Sequence, residues 1–281
     1  MKRQLDSRAF AVAQLFAPPF LFVSPSFQRP FAWDTDDAER LLGDIQAACS
    51  EAPEDIYFLG AILLVRVPAA GETPGQLPSS SIFSGPERVF EIIDGQQRIA
   101  TLSILLAVLR DLAGRQSSAL YDRLQHAFVT QGVRAARVQL RGADGAFLAH
   151  CIGEPGACLV PPLAGVATEP QQRLLDIRET FMRQLKPLGR GELERLATFV
   201  LANCSLVAVV TNTIDRAFQM FTVLNDTGKP LTRNDILKAE LIGQTASRSG
   251  GGSRRSGMDW RNGWAPILSN CSVSCAARAG A

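Results

Sequence analysis

The sequence predicts a mixed α and β fold, and two kinds of residue pattern support this prediction. Short apolar runs rich in Ile, Leu and Val predict buried strands at 56–67, 89–93 and 206–210. Longer stretches with apolar residues at helical spacing predict helices at 96–112 and 171–188. Hydrophobic residues make up 46% of the 281 residues and charged residues 20%, so the chain has enough apolar side chains to bury a core.

Caps and turns predict the other elements of the first half. We expect a short helix at 7–16 and a short strand at 20–23, followed by a loop punctuated by prolines. Asp34 or Thr35 is expected to cap the next helix. The apolar residues of that helix recur at helical spacing, namely Ala38, Leu41, Leu42 and Ile45. The segment 68–86 is rich in Pro, Gly and Ser and is predicted to be a loop.

The second half is predicted to be mainly helical. Helices are expected at 120–128, 192–202 and 218–224, and 142–163 is expected to be rich in loops. The helix at 218–224 should end at the turn residues 225–228, which read Asn-Asp-Thr-Gly. Thr232 then starts another predicted helix, with Asp235 three residues later as in a capping box.

Charge, cysteine spacing and hydropathy narrow the classes of function. The formal net charge is +2, which is too near zero to predict nucleic-acid binding from bulk charge. The six cysteines form no CxxC pair, as expected of a reduced cytosolic protein. The longest apolar runs are far shorter than the roughly 20 residues of a membrane span. We therefore expect a soluble cytoplasmic protein without a membrane partner.

The strongest candidate for a catalytic or ligand-binding segment is Asp94-Gly95-Gln96-Gln97-Arg98, which joins a predicted buried strand to a predicted helix through one glycine. Such a turn aims backbone N–H groups and the positive helix end at one point, where an anion is stabilised. Arg98 adds a planar fork for phosphate oxygens. Gln96 and Gln97 suit a base, a sugar or an attacking water, and Asp94 suits a magnesium ion or a water. The same pattern also fits an ordinary strand–turn–helix with a capping Asp94 and solvated glutamines.

A second candidate is the loop 25–33, whose prolines at both ends of the FQR triplet fix where Gln28 and Arg29 point. Its aromatic residues are anchors, and one of them could stack on a base; they are Phe27, Phe31 and Trp33. Arg29 near Arg98 would complete a phosphate clamp. The alternative is a purely structural loop, in which the aromatic side chains pack in a hydrophobic cluster and Arg29 pairs with an acid such as Asp34 or Asp36.

A third candidate begins at Asn225. Asn225 and Asp226 lie in a predicted turn, where they can coordinate a metal or contact a sugar. Lys229 or Lys238 can reach a phosphate as a point charge. The alternative is a helix end, a turn and a capped helix, which explains the turn and cap residues Gly228, Pro230 and Thr232.

Together these motifs resemble the N-terminal domain of the GmrSD-type restriction endonucleases, which is related to the ParB and sulfiredoxin-like fold. The resemblance covers roughly Leu5 to Gly243. It rests on motifs in the expected order, namely Pro25–Trp33, Tyr57–Gly60, Asp94–Arg98 with Thr101-Leu102, and Leu224–Leu231 leading to Asp235 and Lys238. Phe27 and Phe31 stand where the family more often has tyrosine, which removes any role for a phenol hydroxyl.

The resemblance implies an α+β architecture in three parts. A ParB/sulfiredoxin-like core of sheet and helix is expected at 1–115 and contains the FQRPF and DGQQR motifs. A mostly helical region is expected at 116–243 and returns the segment 225–238 to the site. The Ser/Gly/Arg-rich tail at 244–281 is expected to be disordered or truncated.

The resemblance also implies binding and hydrolysis of a nucleoside triphosphate (GTP, ATP or CTP) with Mg²⁺, in a system that restricts modified phage DNA. The expected catalytic residues are Asp94, Gln96, Gln97 and Arg98, with Asp94 on the metal. The expected nucleotide-binding residues are Gln28, Arg29, Gly95, Thr101, Asn225, Lys229 and Lys238.

Family members commonly precede an HNH nuclease domain, on the same chain or on a partner. An HNH site needs histidines, and the two in this chain, His126 and His150, both precede Asn225. We therefore expect that this chain does not cut DNA by that route and that a separate HNH nuclease chain does so. The alternatives are a non-catalytic module that binds DNA or a partner, and an inactive fragment.

Overall fold

A six-stranded mixed sheet organises the computed structural model, which describes residues 5–69, 82–83, 87–114, 118–128, 136–161 and 168–225. The strands are β1 (Leu5–Ala11), β2 (Phe20–Val23), β3 (Tyr57–Arg66), β4 (Arg88–Asp94), β5 (Val138–Gln139) and β6 (Cys204–Thr211). The helices are α1 (Val12–Leu15), α2 (Thr35–Glu51), α3 (Gln96–Ala113), α4 (Ser118–His126), α5 (Ala143–Leu148), α6 (Glu169–Leu185), α7 (Arg190–Ala202) and α8 (Ile214–Asn225). A π-helical turn lies at Ala149–Gly153 and a 3-10 turn at Ala157–Leu159.

The strand order is β1-β6-β3-β4-β2-β5. β2 is parallel to both of its neighbours, β4 and β5, whereas β3 is antiparallel to β4 and parallel to β6. Because β2, β4 and β5 are parallel, the segments that follow Val23, Asp94 and Gln139 leave the sheet on the same side. We call this side the carboxyl edge.

The main core lies between one face of the sheet and α1 to α7, with α3 at its centre. α3 packs against α4, α6 and α7, and most of its residues are buried on every side. A helix that is apolar all round is expected to be buried in this way, rather than at a surface. Side chains of β3 and β4 such as Ile62, Leu64 and Ile92 complete this core.

A smaller core lies on the opposite face of the sheet, beneath α8. Leu63, Val65 and Ile93 point to this face and pack with Ala217 and Phe221 of α8. Successive side chains of a strand alternate between the two faces, so β3 and β4 contribute to both cores. The continuous apolar runs of these strands follow from this burial on both sides.

The predicted α+β fold class is confirmed. The predicted helix at 7–16 is wrong, because Leu5–Ala11 is a strand that pairs with β6 along its whole length and leaves only Val12–Leu15 helical. The local sequence does not show the partner strand, and pairing with a distant segment overrides local propensity.

The predicted loop-rich segment 142–163 contains α5, the π-helical turn and the 3-10 turn. β5 and β6 follow residue 115, yet they belong to the same sheet as β1 to β4. The predicted tail at 244–281, the helix at Thr232 and most of the loop at 68–86 lie outside the described residues. Within the described ranges, no helix has the length and apolar character needed to cross a membrane.

Candidate functional site

The DGQQR segment forms a tight turn between β4 and α3 at the carboxyl edge. Gly95 has a φ of 93°, and a Cβ at this position would lie 2.5 Å from Cγ2 of Ile62, so only glycine fits. Asp94 Oδ1 accepts a hydrogen bond from the Gly95 N–H at 2.8 Å. The N-cap residue Gly95 has no side chain, and no side chain of the described residues caps α3 in its place. The backbone N–H groups of the first turn of α3 are therefore available to an anion.

Arg98, in the first turn of α3, lies against Gly60 and Ala61 of β3. Its Nη1 donates to the Ala61 carbonyl at 3.2 Å, and this is the only hydrogen bond of its side chain among the described residues. The guanidinium fills the space above Gly60, where a Cβ would approach it to 3.2–3.4 Å. Burial lowers the pKa of Arg98 below its usual value, and the carboxylate of Asp94 offsets part of this decrease. Arg98 is thus held in place by backbone while keeping donors for a ligand.

The loop Pro25–Trp33 is fastened to the same edge by Gln28. The Gln28 side chain donates through Nε2 to the carbonyls of Ile92, at 3.1 Å, and Ile93, at 2.6 Å. These carbonyls belong to the last residues of β4 before Asp94. The structure therefore brings the FQRPF and DGQQR motifs together, and it uses the Gln28 amide as a backbone anchor.

The two glutamines of the DGQQR turn also hold this loop. Gln97 Oε1 accepts from the N–H groups of Ala32 at 2.8 Å and Trp33 at 3.1 Å, and its Nε2 donates to the Pro30 carbonyl at 3.4 Å. Gln96 Nε2 donates to the Arg29 carbonyl at 3.1 Å. Both side chains are buried. The Gln96 Oε1 is buried without a hydrogen-bond partner among the described residues.

Arg29 is exposed, and its side chain makes no hydrogen bond or ion pair within the described ranges. Of the two acids that the sequence offered as its partner, Asp34 caps α2 by accepting from the N–H groups of Asp36 and Asp37, both at 3.1 Å, and Asp36 forms no ion pair with Arg29. The alternative in which an acid neutralises Arg29 is therefore not formed. The Arg29 carbonyl accepts from the Gln96 side chain, so the residue lies beside the first turn of α3 while its side chain is exposed.

The aromatic residues of the loop pack within the protein. Phe31 is buried in the main core and Trp33 packs partly buried against it. Phe27 lies against Phe218 of α8, with 5.6 Å between the ring centroids. These contacts favour the anchoring role that the sequence predicted for the aromatic residues over base stacking.

Two arginines that sequence reasoning missed also hold the loop. Arg141, after β5, donates from Nη1 to the carbonyls of Ser26 at 2.8 Å and Gln28 at 3.2 Å. Arg173 of α6 donates to the Ala32 carbonyl at 2.7 Å. A strand of only two residues gives no recognisable alternation, so the sequence offers no signal that Arg141 reaches the carboxyl edge.

The remaining predicted site residues are Thr101, Asn225, Lys229 and Lys238. Thr101 is fully buried in α3, so it lies in the core rather than at an open surface. Asn225 is the last residue of α8, which packs on β3 and β4 and contacts the loop through Phe27. The start of the third motif thus belongs to a helix that touches the site loop. Lys229 and Lys238 lie outside the described residues.

A metal ion at this edge would have few protein ligands. Among the described residues there is no group of three or more His, Cys, Asp or Glu side chains that could hold one. Asp94 has one carboxylate oxygen beyond the one that accepts from Gly95. Mg²⁺ commonly binds through one or two carboxylates, waters and substrate phosphates, so Asp94 fits the donor set for a nucleotide-bound Mg²⁺.

These features define an α+β domain in which a helix with an uncapped N-terminus opens at the edge of a mixed sheet, beside two arginines. The family model for the GmrSD restriction endonuclease N-terminal domain matches residues 12–242 of this chain. The chain therefore belongs to that family, which confirms the resemblance based on the motifs. Membership makes the chain a component of a restriction system. No curated protein matches the sequence.

Proposed function

We propose that this chain binds a nucleoside triphosphate with Mg²⁺ at the carboxyl edge and hydrolyses it, as a sensor or regulatory subunit of a modification-dependent restriction system. The observation that supports the proposal is the first turn of α3, which contains Arg98 and bonds through the Gln96 side chain to the backbone of Arg29. Both arginines keep unused donors, and the helix end supplies backbone N–H groups. This combination suits the clustered negative charge of a triphosphate.

Hydrolysis at this site would depend on positioning and charge stabilisation, as is usual for phosphoryl transfer. The N–H groups of α3 and the Arg98 guanidinium would bind the phosphates, and Arg29 would approach from the loop. Asp94 would hold the metal ion through its free carboxylate oxygen. The ion would supply charge neutralisation on the phosphate oxygens.

The two glutamines are assigned different roles within the proposal. Gln97 uses both ends of its amide to hold the loop, which supports a positioning role. Gln96 holds the loop through Nε2 only and keeps its Oε1 without a partner among the described residues. An unpaired buried oxygen is unfavourable. We therefore assign Gln96 Oε1 to orienting the attacking water.

Within the restriction system, modified phage DNA would be the signal and an HNH nuclease would cut it. This part of the proposal is supported by the family and by the lack of bulk positive charge for unaided DNA binding. GTP, ATP and CTP are all candidates, because the described contacts are of the kind that recognises phosphate.

The test is phosphate release from GTP, ATP and CTP with Mg²⁺, comparing the intact chain with Arg98→Ala. We expect turnover with at least one nucleotide and a loss of about 100-fold or more in the variant, as for other groups that stabilise developing charge. Arg40→Ala is the matched control, because Arg40 is an exposed arginine of α2 that pairs with Asp37. Circular dichroism and thermal melting check that each variant is folded.

Turnover that survives in a folded Arg98→Ala variant contradicts the assigned site. A folded intact chain that hydrolyses none of the three nucleotides contradicts hydrolysis. In that case, equilibrium binding of a non-hydrolysable triphosphate distinguishes a nucleotide-binding module from a chain without any nucleotide function.

A further inference from the structure

We infer that Arg141 is a positioning residue that fixes the loop Pro25–Trp33 and thereby holds Arg29 beside the first turn of α3. The effect on nucleotide rests on the function proposed above, whereas the effect on the loop does not. Arg141 does not belong to any of the motifs that define the family resemblance.

The contacts of Arg141 are specific although the side chain is exposed. One guanidinium nitrogen, Nη1, donates to two carbonyls of the loop, those of Ser26 and Gln28. Within the described ranges no carboxylate pairs with Arg141, so its full charge acts on these carbonyls. Hydrogen bonds from a charged donor are about twice as strong as those between neutral groups.

Arg141 holds a different part of the loop from the anchors of α3 and α6. The glutamines of α3 bind the second part of the loop, from the Arg29 carbonyl to the Trp33 N–H. Arg141 binds the first part, at Ser26 and Gln28. Arg29 lies where the two parts meet, so its direction depends on both.

Loss of Arg141 should therefore change the loop but not the fold. The Gln28 side chain would still bond to the end of β4, and the second part of the loop would still be held by Gln97. The first part would lose both of its charged hydrogen bonds. Arg29 would then sample more directions, which weakens its contact with a bound phosphate.

The first experiment measures amide hydrogen exchange in the full chain, without nucleotide, for the intact protein, Arg141→Ala and Arg40→Ala. The Gln28 N–H, which donates to the Pro25 carbonyl at 3.0 Å, reports on the first part of the loop. The Ala32 N–H, which Gln97 holds, reports on the second part. We expect Gln28 to exchange about 10-fold faster in Arg141→Ala, because the carbonyls of Ser26 and Gln28 lose their charged donor, with little change at Ala32.

Unchanged exchange at Gln28 overturns the inference, whatever the protein does with nucleotide. Faster exchange throughout the chain also overturns it, because Arg141 would then support the whole fold. Arg141→Lys provides the conservative variant, since lysine keeps the charge but loses the planar fork. We expect its exchange at Gln28 to lie between those of the intact chain and Arg141→Ala.

The second experiment is a double-mutant cycle on nucleotide hydrolysis, using Arg29→Ala, Arg141→Ala and the double variant. If Arg141 acts through Arg29, each single change raises KM about 10-fold, with kcat changed less, and the double variant resembles Arg29→Ala. Additive losses, or an Arg29→Ala variant with normal KM, overturn action through Arg29. If the intact chain does not hydrolyse nucleotide, the proposed function fails, and hydrogen exchange alone decides the role of Arg141 in the loop.

Discussion

The two ends of α3 each carry an arginine, and the two arginines have opposite surroundings. Arg110, near the C-terminus of α3, is fully buried and its donors are used. Its acceptors are Asp111 Oδ1 at 2.8 Å, Gln125 Oε1 at 3.1 Å and the carbonyls of Gly153 at 2.6 Å and Glu154 at 2.7 Å. Arg98, near the N-terminus, has one carbonyl partner and lies beside an uncapped helix end. The number of satisfied donors thus separates a structural arginine from one that is available to a ligand.

The neighbours of Arg110 support this structural role. Asp111 accepts from the N–H groups of Gly156 at 3.0 Å and Cys158 at 2.9 Å, and Arg110 stacks on Phe128 at 4.8 Å from the ring centroid. Burial, with the charge of Asp111 second, raises the pKa of the Cys158 thiol to about 12. These contacts fold the segment after α5 onto the end of α3.

The largest expected effect on stability comes from Arg110→Met. The substitution leaves the buried Asp111 carboxylate without its charged partner, which should lower the free energy of unfolding by about 3–5 kcal/mol. Denaturant unfolding measures this loss. Arg98→Ala should change the same quantity by about 1 kcal/mol or less, because only one hydrogen bond is lost. Equal losses in the free energy of unfolding at Arg110 and Arg98 would contradict the proposed difference between the two ends of α3.

Gly95→Ala tests the turn at the N-terminal end. The positive φ and the close approach to Ile62 should together destabilise the fold by about 2–4 kcal/mol. The matched control is Gly43→Ala in α2, where an added Cβ meets nothing within 4 Å and helix propensity should give a gain of about 0.5–1 kcal/mol. Thermal unfolding of both variants measures the difference. A tolerated Gly95→Ala would show that the turn does not require glycine.

Gln97→Ala should destabilise the fold by about 1–3 kcal/mol, less than Arg110→Met or Gly95→Ala, because it leaves the N–H groups of Ala32 and Trp33 without an acceptor. Gln172→Ala is the control, since Gln172 is an exposed residue of α6 whose side chain donates to Asp176 on the same helix. Denaturant unfolding and hydrogen exchange at Ala32 would detect the loss. Normal exchange at Ala32 would contradict the view that Gln97 holds the loop.

The sequence predicted the elements that carry strong local signals. The strand at 88–94, the glycine turn and the start of α3 lie within about one residue of their predicted positions, because burial on both sides and helical spacing are visible along the chain. The cap at Asp34 was also correct, since an N-cap is a local interaction. The strand at 5–11 was missed because its stabilising partner, β6, is distant in sequence.

The sequence by itself determined the family, the DGQQR turn and the charged residues that face the carboxyl edge, because these depend on residue types at fixed local spacing. Only the tertiary structure decided what the side chains do. It made Gln28, Gln96 and Gln97 the anchors of a loop and gave the Arg29 side chain no partner among the described residues. It also brought Arg141 to that loop from 113 residues beyond Gln28. Hydrogen bonds between segments so far apart depend on strand order and register, which no local pattern of residues specifies.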